Sequence, residues 1–559
     1  MKVLILGGYG VFGGRLAELL ADEPDLELVI VGRDATKASR FCEQHKSVAR
    51  MTPIPANRSD IEHVLQSVMP DILVDASGPF QEYGDSRYEV VEACIRNSVH
   101  YLDLADAPDF VLGIDQLNDA AKEADVFVLS GLSSFPVLTA AVLRELENRM
   151  SIRTVIGGIA PSPYAGVGQN VMRAVLGYSG KAVKLTRDGE VSTGIGLVET
   201  KRYTISPPGH LPVANLRYSL VDIPDLQLIP RQFPSVSNIW VGAGPVPEFL
   251  HRMLNLLAYI RWLLRLPSLA PSAPLCNWVM NTFRYGEHRG GMFIQVTDGS
   301  GDGRTLSWHL LAERDDGPYI PSMAAEIVIR KTLNGQRPDA GARPGTTAVT
   351  LSDYDKVFKG REIYTGVRET SNISQPIFRE VLGECFGELP ERIQALHSGE
   401  ESSDWHGRVM VKGARGLLGR AIARIFGFPS VDAETDAHVA ITPTDRGEIW
   451  VRTFGMKVFR SELSLGDGRA KWLVCERFGL ISISIALVWR DNKLWYVPRR
   501  WSLGPIPLPK FLMPAGRSFE YDQNGDFGFD VTIEAPIFGL IAGYKGTLRR
   551  VEESAGTKG

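Results

Sequence analysis

Four glycines near the start of the chain have the spacing of a phosphate-binding turn. They follow an apolar run in the stretch "KVLILGGYGVFGGRL", which fits both G-x-x-G-x-x-G and G-x-G-x-x-G. Glycine loses the most backbone freedom on folding, so such a cluster needs a tight turn or a closely approaching ligand to favour it. The pattern predicts a dinucleotide site, with a turn that binds nothing as the alternative. The predicted contacts are Gly7, Gly8, Tyr9, Gly10, Val11, Phe12 and Gly13.

The end of the next apolar run carries the residues that distinguish NADP from NAD. "LELVIVGRD" ends in Gly32, Arg33 and Asp34. In dinucleotide-binding folds an acidic side chain here holds the ribose hydroxyls, whereas a nearby Arg accommodates a 2′-phosphate. Arg33 stands directly after Gly32, where it can reach the phosphate, so we expect NADP. NAD, held through Asp34, is the alternative.

The elements that position these residues alternate between strand and helix through residues 1–130. "KVLIL" is a short continuous apolar run, as a buried parallel strand requires. Strand and helix patterns follow in turn, among them "DILVDASGPF", "YEVVEACIRN", "VHYLDLAD" and "VFVLSGL". This order predicts an α/β fold with a doubly wound parallel sheet of Rossmann type. Ligands of such sheets bind beyond the carboxyl ends of the strands, where the glycine turn lies.

Several stretches of this region resemble a known family. "GGYGVFGGR", "VDASGPFQEYG", "VEACIRNSVHYLDLAD" and "VLSGLSSFP" are similar, in order and spacing, to the saccharopine-dehydrogenase-like oxidoreductases. The resemblance implies that an A-x-G-P loop after the fourth strand flanks the nicotinamide end of the cofactor. In this chain the loop consists of Ala76, Ser77, Gly78 and Pro79. Enzymes that form saccharopine need several basic groups for the substrate carboxylates, and we find no such set in these motifs.

Hydride transfer also needs an acid or a base beside the substrate. Asp103, at the end of a strand in this layer, is the leading candidate. Tyr178 and Lys181 come next, because "YSGKAVKLTRDGE" resembles a second-domain motif of the same family. For each of the three, an ordinary structural role is the alternative. The histidines are dispersed and lack the spacing of metal ligands, so we expect no metal.

The rest of the chain predicts two further domains. Residues 131–365 mix strand patterns such as "RTVIGGIAP" with helices, which predicts a mixed α+β substrate or dimerisation domain that returns to the first sheet. Residues 370–555 alternate apolar and polar positions, as in "ISISIALVW". This alternation predicts a β-rich domain, either a curved antiparallel sheet or a partial barrel. It resembles an uncharacterised domain that follows saccharopine-dehydrogenase-like regions in some bacterial proteins.

Two features raise the question of an apolar partner. The segment 249–266, "FLHRMLNLLAYIRWLLRL", is apolar over most of its surface and carries arginines near its edges. It is either a buried or interface helix, with a homodimer as one outcome, or a helix in peripheral contact with a membrane or lipid. Aromatic residues are frequent in the β-rich domain, where they either fill the core or line a pocket for a hydrophobic molecule.

Composition narrows the class of function. The net charge of −4 and the scattered positive charges argue against nucleic-acid binding. The five dispersed cysteines and the N-terminus, which lacks the pattern of a signal peptide, fit a cytoplasmic protein. We therefore expect an NADP-dependent oxidoreductase with a small hydrophobic or amino-acid-derived substrate. The alternative is a scaffold that binds a nucleotide or a lipid without catalysis.

Overall fold

The computed structural model describes residues 1–166, 168–213, 215–299, 303–370, 375–425, 427–428, 432–536 and 539–551. The chain divides into two compact units. Residues 1–203 and 216–364 form the first unit, and residues 204–215 and 365–559 form the second. The regions predicted as a Rossmann domain and a mixed domain thus share the first unit.

The first sheet of this unit is parallel and has seven strands in the order β15-β6-β5-β4-β1-β2-β3. The strands are β1 (Lys2–Leu6), β2 (Glu27–Gly32), β3 (Arg50–Pro55), β4 (Ile72–Asp75), β5 (His100–Asp103), β6 (Phe127–Ser130) and β15 (Gly341–Pro344). The helices are α1 (Val11–Leu19), α2 (Ala35–Gln44), α3 (Ile61–Val68), α4 (Glu89–Arg96), α5 (Pro108–Leu112), α6 (Asn118–Glu123) and α7 (Thr139–Glu147). The central strands are almost fully buried, which explains their continuous apolar runs. The predicted Rossmann-type sheet is confirmed.

The second sheet of the unit is mixed and has the order β10-β11-β12-β7-β13-β14-β16. Its strands are β7 (Thr154–Ala160), β10 (Thr200–Tyr203), β11 (Leu216–Leu220), β12 (Asn238–Ala243), β13 (Arg289–Thr297), β14 (Thr305–Glu313) and β16 (Ile363–Thr370). A separate hairpin consists of β8 (Ala182–Arg187) and β9 (Glu190–Ile195). The helices are α8 (Gln169–Tyr178), α9 (Asp225–Gln232), α10 (Glu248–Leu264), α11 (Ala273–Thr282), α12 (Ile320–Leu333) and α13 (Leu351–Phe358). The mixed α+β character is confirmed.

Helix α12 fixes the helix that follows the glycine turn. It is buried along most of its length and packs against α1. The Ser322 hydroxyl donates to the backbone oxygen of Phe12 at 3.0 Å. The Arg330 guanidinium donates to the backbone oxygen of Leu19 at 2.7 Å and to Asp22 at 2.6 Å. After α12 the chain returns to the first sheet as β15, which pairs in parallel with β6.

The second unit contains a closed antiparallel barrel rather than an open sheet. Ten of its described strands follow one another around the barrel, and β22 pairs with β23 to close it. The barrel strands are β17 (Ser403–Lys412), β18 (Ala433–Thr444), β19 (Gly447–Phe454), β20 (Lys457–Leu465), β21 (Val474–Phe478), β22 (Ile481–Arg490), β23 (Lys493–Leu503), β25 (Ser518–Gln523), β26 (Asp526–Ala535) and β27 (Gly539–Arg550). The other elements are β24 (Ile506–Pro507), α14 (Ile377–Leu382), α15 (Glu391–Leu396) and α16 (Gly416–Ile425).

Candidate active site

The glycine turn forms a cradle without side chains at the carboxyl end of β1. Gly7 has a φ of +80°, and a Cβ atom there would lie 2.8 Å from the backbone oxygen of Ala76. A Cβ atom on Gly13 would lie 2.4 Å from the backbone oxygen of Gly7. Gly10 is the N-cap of α1, and the first turn of that helix has no acidic residue. The first N–H groups of α1 are thus open to an anion, so the turn fits a pyrophosphate.

The two charged residues that follow β2, Arg33 and Asp34, make different contacts. The backbone N–H of Asp34 donates to the Tyr9 hydroxyl at 2.9 Å. The Asp34 carboxylate accepts from the Lys37 N–H at 3.1 Å and so caps α2, a hydrogen bond that lowers its pKa. Arg33 is exposed and lines the cavity beside the glycine turn. Of the two residues, Arg33 lines the cavity and Asp34 does not.

A buried carboxylate holds the loop that follows β4. Asp75 is fully buried and accepts from the backbone N–H of Ser77 at 3.0 Å and from its hydroxyl at 2.6 Å. Its other oxygen accepts from Arg58 at 2.6 Å. The Arg58 guanidinium stacks 3.6 Å above the ring of Tyr83, whose hydroxyl lies 2.9 Å from the Ser77 hydroxyl. This network fixes the A-x-G-P loop at the edge of the sheet.

A cavity of about 750 Å³ lies between this edge and the second sheet. The glycine turn, Arg33 and the loop 76–79 border one side, and α8 with the ends of β7 and β12 borders the other. Two contacts hold α8 over the loop. The Asn170 side chain donates to the backbone oxygen of Gly78 at 2.8 Å, and Arg173 lies 3.2 Å from Glu82. The cavity is large enough for part of a dinucleotide and a small substrate.

Titratable groups meet at the far end of this cavity. Asp106, just beyond β5, and Tyr178, at the end of α8, both line it. Gln81 donates to Asp106 at 3.0 Å, and burial raises the pKa of Asp106. Burial raises the pKa of Tyr178, and the nearby Asp106 and Asp222 raise it further. Burial, together with repulsion from Asp109 and Asp106, raises the pKa of Asp222 to about 6. Raised pKa values at one wall of a cleft are typical of acid–base sites.

Two regions of the chain match models of known protein families. Residues 3–129 match the model of the saccharopine dehydrogenase NADP binding domain. This region is therefore similar to the NADP-binding domain of saccharopine dehydrogenases. Residues 389–548 match a domain of unknown function, DUF4166. No curated protein matches the chain. The match of the NADP-binding domain supports an oxidoreductase that uses a nicotinamide dinucleotide.

The solved structures that match the chain include dehydrogenases of low sequence identity. Saccharopine dehydrogenase (L-Glu forming) from Saccharomyces cerevisiae is 14% identical, covers 66% of this chain and 100% of its own, and has a TM-score of 0.46. Amine dehydrogenase from Mycobacterium smegmatis is 12% identical, covers 62% of this chain and 94% of its own, and has a TM-score of 0.34. The WlbA dehydrogenase from Thermus thermophilus is 14% identical, covers 61% of this chain and 90% of its own, and has a TM-score of 0.28. Such distant similarities say nothing about the substrate.

Some of the predicted cofactor contacts line the cavity in the structure and others do not. Most of the predicted cofactor contacts line the cavity: Gly7, Tyr9, Gly10, Val11, Phe12, Arg33, Ala76, Ser77, Gly78 and Pro79. Gly8 and Gly13 lie behind this surface and allow the chain to pack tightly, because a Cβ atom on Gly8 would lie 2.8 Å from the backbone oxygen of Ile5. Asp34 caps α2 instead of lining the cavity. These contacts remain predictions of where the cofactor binds.

The three predicted catalytic residues differ in whether they line the cavity. Tyr178 lines the cavity. Asp103 does not, because its buried carboxylate accepts from the backbone N–H groups of Gly131 at 2.7 Å and Ala105 at 2.9 Å. Burial raises its pKa to about 7. Lys181 is exposed and also lies outside the cavity lining. Asp106 is the acidic residue that lines the cavity together with Tyr178, and the catalytic roles of Asp103, Tyr178 and Lys181 remain predictions.

Proposed function

We propose that the protein is an NADP-dependent oxidoreductase that transfers a hydride between the nicotinamide and a small, largely apolar substrate. One observation carries this proposal: a single cavity joins the glycine cradle to the Asp106–Tyr178 pair. The bound cofactor would supply or accept the hydride. The cradle and Arg33 would hold its phosphates, the loop 76–79 would orient its nicotinamide end, and the Asp106–Tyr178 pair would move the accompanying proton.

The lining of the cavity favours an apolar substrate over a dicarboxylate. The arginines among its described residues are Arg33, Arg58 and Arg173. Arg58 is bound to Asp75, and Arg173 is paired with Glu82. Apart from Arg33, which lies near the ribose, each of these cations has a carboxylate partner. The remaining wall is mostly apolar and includes Phe80, Leu104, Phe135, Ile159, Val221 and Ile223.

The test is a panel of carbonyl, imine and enoyl compounds offered to the purified protein with NADPH. Turnover is expected with at least one apolar member of the panel, seen as loss of NADPH absorbance. A scaffold would bind NADPH in calorimetry and oxidise it with none of the compounds. Absence of heat with both NADPH and NADH would overturn the proposal, because the cradle would then hold no dinucleotide.

Arg33 provides a test of the preference for NADP. Replacing it by Ala removes the cation that faces the 2′-phosphate, and a hydrogen bond to a charged group contributes about 1.5–3 kcal/mol. Arg33→Ala is therefore expected to weaken NADPH binding about 10- to 100-fold and to change NADH binding less than about threefold. Calorimetric titration of both cofactors measures this. Lys37→Ala, which removes an exposed neighbouring cation outside the cavity lining, is the control. Equal losses for both cofactors would contradict the assignment.

An apolar surface on the same unit favours a substrate that comes from a lipid phase. We define the α10–α11 surface by its exposed side chains: Phe249, Met253, Leu256, Leu257, Tyr259, Trp262, Leu263, Leu264, Leu266, Leu275, Trp278, Phe283 and Tyr285. Residues 249–286 contain no acidic residue, and Arg252, Arg265 and Arg284 are exposed among them. No described helix is both long and apolar enough to cross a membrane. Aromatic and basic residues on such a surface are typical of helices that lie on anionic bilayers.

The α10–α11 surface adjoins the wall of the cavity. Ala273 of α11 packs with Met172 and Leu176 of α8 in one buried cluster. Helix α8 also carries Asn170 and Tyr178, which line the cavity. We therefore propose that this surface binds an anionic membrane, and that α8 separates the membrane from the reaction site.

Vesicle sedimentation tests the membrane contact. The protein is expected to sediment with phosphatidylcholine vesicles that contain phosphatidylglycerol, and less with phosphatidylcholine alone. Trp262→Ser with Trp278→Ser is expected to lower the fraction bound about tenfold or more, because each buried Trp contributes on the order of 2 kcal/mol. Val191→Ser with Met456→Ser removes two exposed apolar side chains elsewhere and is the control. A dimer in analytical ultracentrifugation, with no binding to vesicles, would instead mean that a second copy covers the surface.

A further inference from the structure

The barrel of the second unit encloses a cavity of about 150 Å³. A protein cavity of about this size admits one benzene ring. Its lining comes from β19–β23 and β25–β27. On β19 and β22 the lining residues alternate, as for residues that face the inside of a barrel, with Phe454 of β19 and Ile483 and Ile485 of β22 as examples. Phe378 of α14, Leu396 of α15 and the segment 514–516 also contribute to the lining.

One wall of this otherwise apolar cavity is polar. Arg452 lies 3.2 Å from Glu476, and the Ser461 hydroxyl, which accepts from Arg452 at 2.8 Å, donates to Glu476 at 2.7 Å. Tyr496 donates to Glu520 at 2.8 Å. We define the polar wall as Arg452, Glu476, Tyr496 and Glu520, all of which line the cavity. The polar wall therefore presents charged groups and a hydroxyl beside free volume.

Further polar groups lie behind the polar wall. His397 is fully buried, and its Nε2 lies 2.7 Å from the second oxygen of Glu520. Glu448 accepts from the indole N–H of Trp450, which lines the cavity, at 2.8 Å. Two buried atoms, His397 Nδ1 and Glu448 Oε1, have no hydrogen-bond partner among the described residues. Buried polar atoms in proteins are almost always paired, so these two atoms have hydrogen-bonding capacity that the described residues leave unused.

Packing of the barrel interior does not by itself require these charges. Removing an ion pair from water carries a desolvation cost that an apolar pair of similar volume avoids. The aromatic side chains of the barrel already fill its core at Trp405 and Phe527. A polar wall that faces a cavity thus fits recognition of a ligand better than it fits packing.

We propose that the barrel binds an uncharged amphiphile, of about one ring or eight carbons, whose hydroxyl or carbonyl group meets the polar wall. The charges of the described lining exclude other head groups. Arg452 is the cation in this lining, and Glu476 neutralises it. A carboxylate would meet Glu476 and Glu520 with no cation left to pair it. An ammonium group would have to lose its water, and Glu520 is already engaged through one oxygen by Tyr496 and through the other by His397.

Calorimetry on the full-length protein tests the proposal with octan-1-ol, octanoate and octylamine as probes. Octan-1-ol is expected to bind about tenfold or more tightly than either charged probe, since one wrongly placed buried charge outweighs a hydrogen bond. Ile483→Trp fills the cavity and should abolish this binding. Ser482→Trp, at the outward-facing neighbour on the same strand, should leave it unchanged. Tightest binding of octanoate or octylamine, or equal binding by both Trp variants, would overturn the proposal.

The role of the polar wall has its own test. Arg452→Met with Glu476→Met replaces the ion pair by apolar side chains and is expected to weaken octan-1-ol binding about tenfold. Tyr496→Phe removes one hydroxyl and should weaken it about fivefold, a test that remains available if the double variant folds poorly. Thermal melting of each variant reports whether the barrel is intact. Unchanged affinity in a folded variant would mean that the wall serves the fold alone and would overturn the proposal.

Discussion

Gly10→Asp is expected to weaken NADPH binding about 100-fold or more without destabilising the fold. The new carboxylate would lie at the N-cap of α1, where the cofactor pyrophosphate is proposed to bind. Two like charges about 4 Å apart repel by about 4 kcal/mol at an effective dielectric constant near 20. Each 1.4 kcal/mol changes an affinity about tenfold, so the loss should be easy to measure.

The position is chosen because a side chain conflicts less with the fold there than at Gly13. Gly10 has an extended backbone, with φ of −77° and ψ of 179°, and has no side-chain capping bond. Asp is among the favoured N-cap residues and stabilises a helix by about 1 kcal/mol. A Cβ atom at Gly10 would lie 3.0 Å from the backbone oxygen of Gly7, a tight contact that requires this backbone to move by a few tenths of an ångström. At Gly13 the same distance is 2.4 Å, so substitution there would disturb the turn itself.

Fluorescence titration with NADPH and thermal melting together measure this prediction. Gly10→Ser is the matched control, since it adds the same Cβ atom and a capping oxygen without the charge. It should bind NADPH far more tightly than Gly10→Asp does. Equal affinity in the two variants would show that the pyrophosphate does not approach α1. A large drop in the melting temperature of both would show that the backbone, rather than the cofactor, needs glycine at this position.

The sequence predicts the first sheet well because its information is local. Each buried parallel strand is a continuous apolar run, and the glycines mark the turn between β1 and α1. Closure of the barrel depends instead on pairs that are distant in the chain, such as β17 with β27. The alternation in each strand shows which face is apolar, but it does not show which strands become neighbours.

The candidate site also depends partly on residues that are distant in the chain, which the sequence alone does not bring together. Asp75 is the last residue of β4 and Arg58 follows β3, and only the folded sheet brings their side chains within 2.6 Å. Asp103 and Asp106 lie three residues apart in "YLDLAD" and look alike in sequence. Asp103 is still within β5 and is buried, whereas Asp106 lies beyond the strand end and reaches the cavity. The two acids therefore differ in their position relative to the end of β5, and the types of the neighbouring residues do not reveal this difference.

Asp106→Asn is expected to lower NADPH-dependent turnover of the panel substrate about 100-fold or more, since a positioned acid or base contributes about 10²–10⁴ in rate. Cofactor affinity should stay within about threefold, because Asp106 lies away from the glycine cradle. Asp103→Asn is the matched control, and its turnover should stay close to that of the parent. The reverse result, with Asp103→Asn inactive and Asp106→Asn active, would return the acid to the end of β5.

The pH dependence of turnover is a second test of the role of Asp106. Burial raises the pKa of Asp106, so a fraction of the carboxyl remains protonated above the usual range of an aspartate. If it donates the proton during reduction, turnover is full at low pH and falls as pH rises through that raised pKa. Burial, together with repulsion from Asp109 and Asp106, raises the pKa of Asp222 to about 6, whereas burial alone raises the pKa of Asp106. Asp222→Asn is therefore expected to leave the pH at which turnover falls unchanged. A shift of that fall in Asp222→Asn would mean that Asp222, rather than Asp106, supplies the proton.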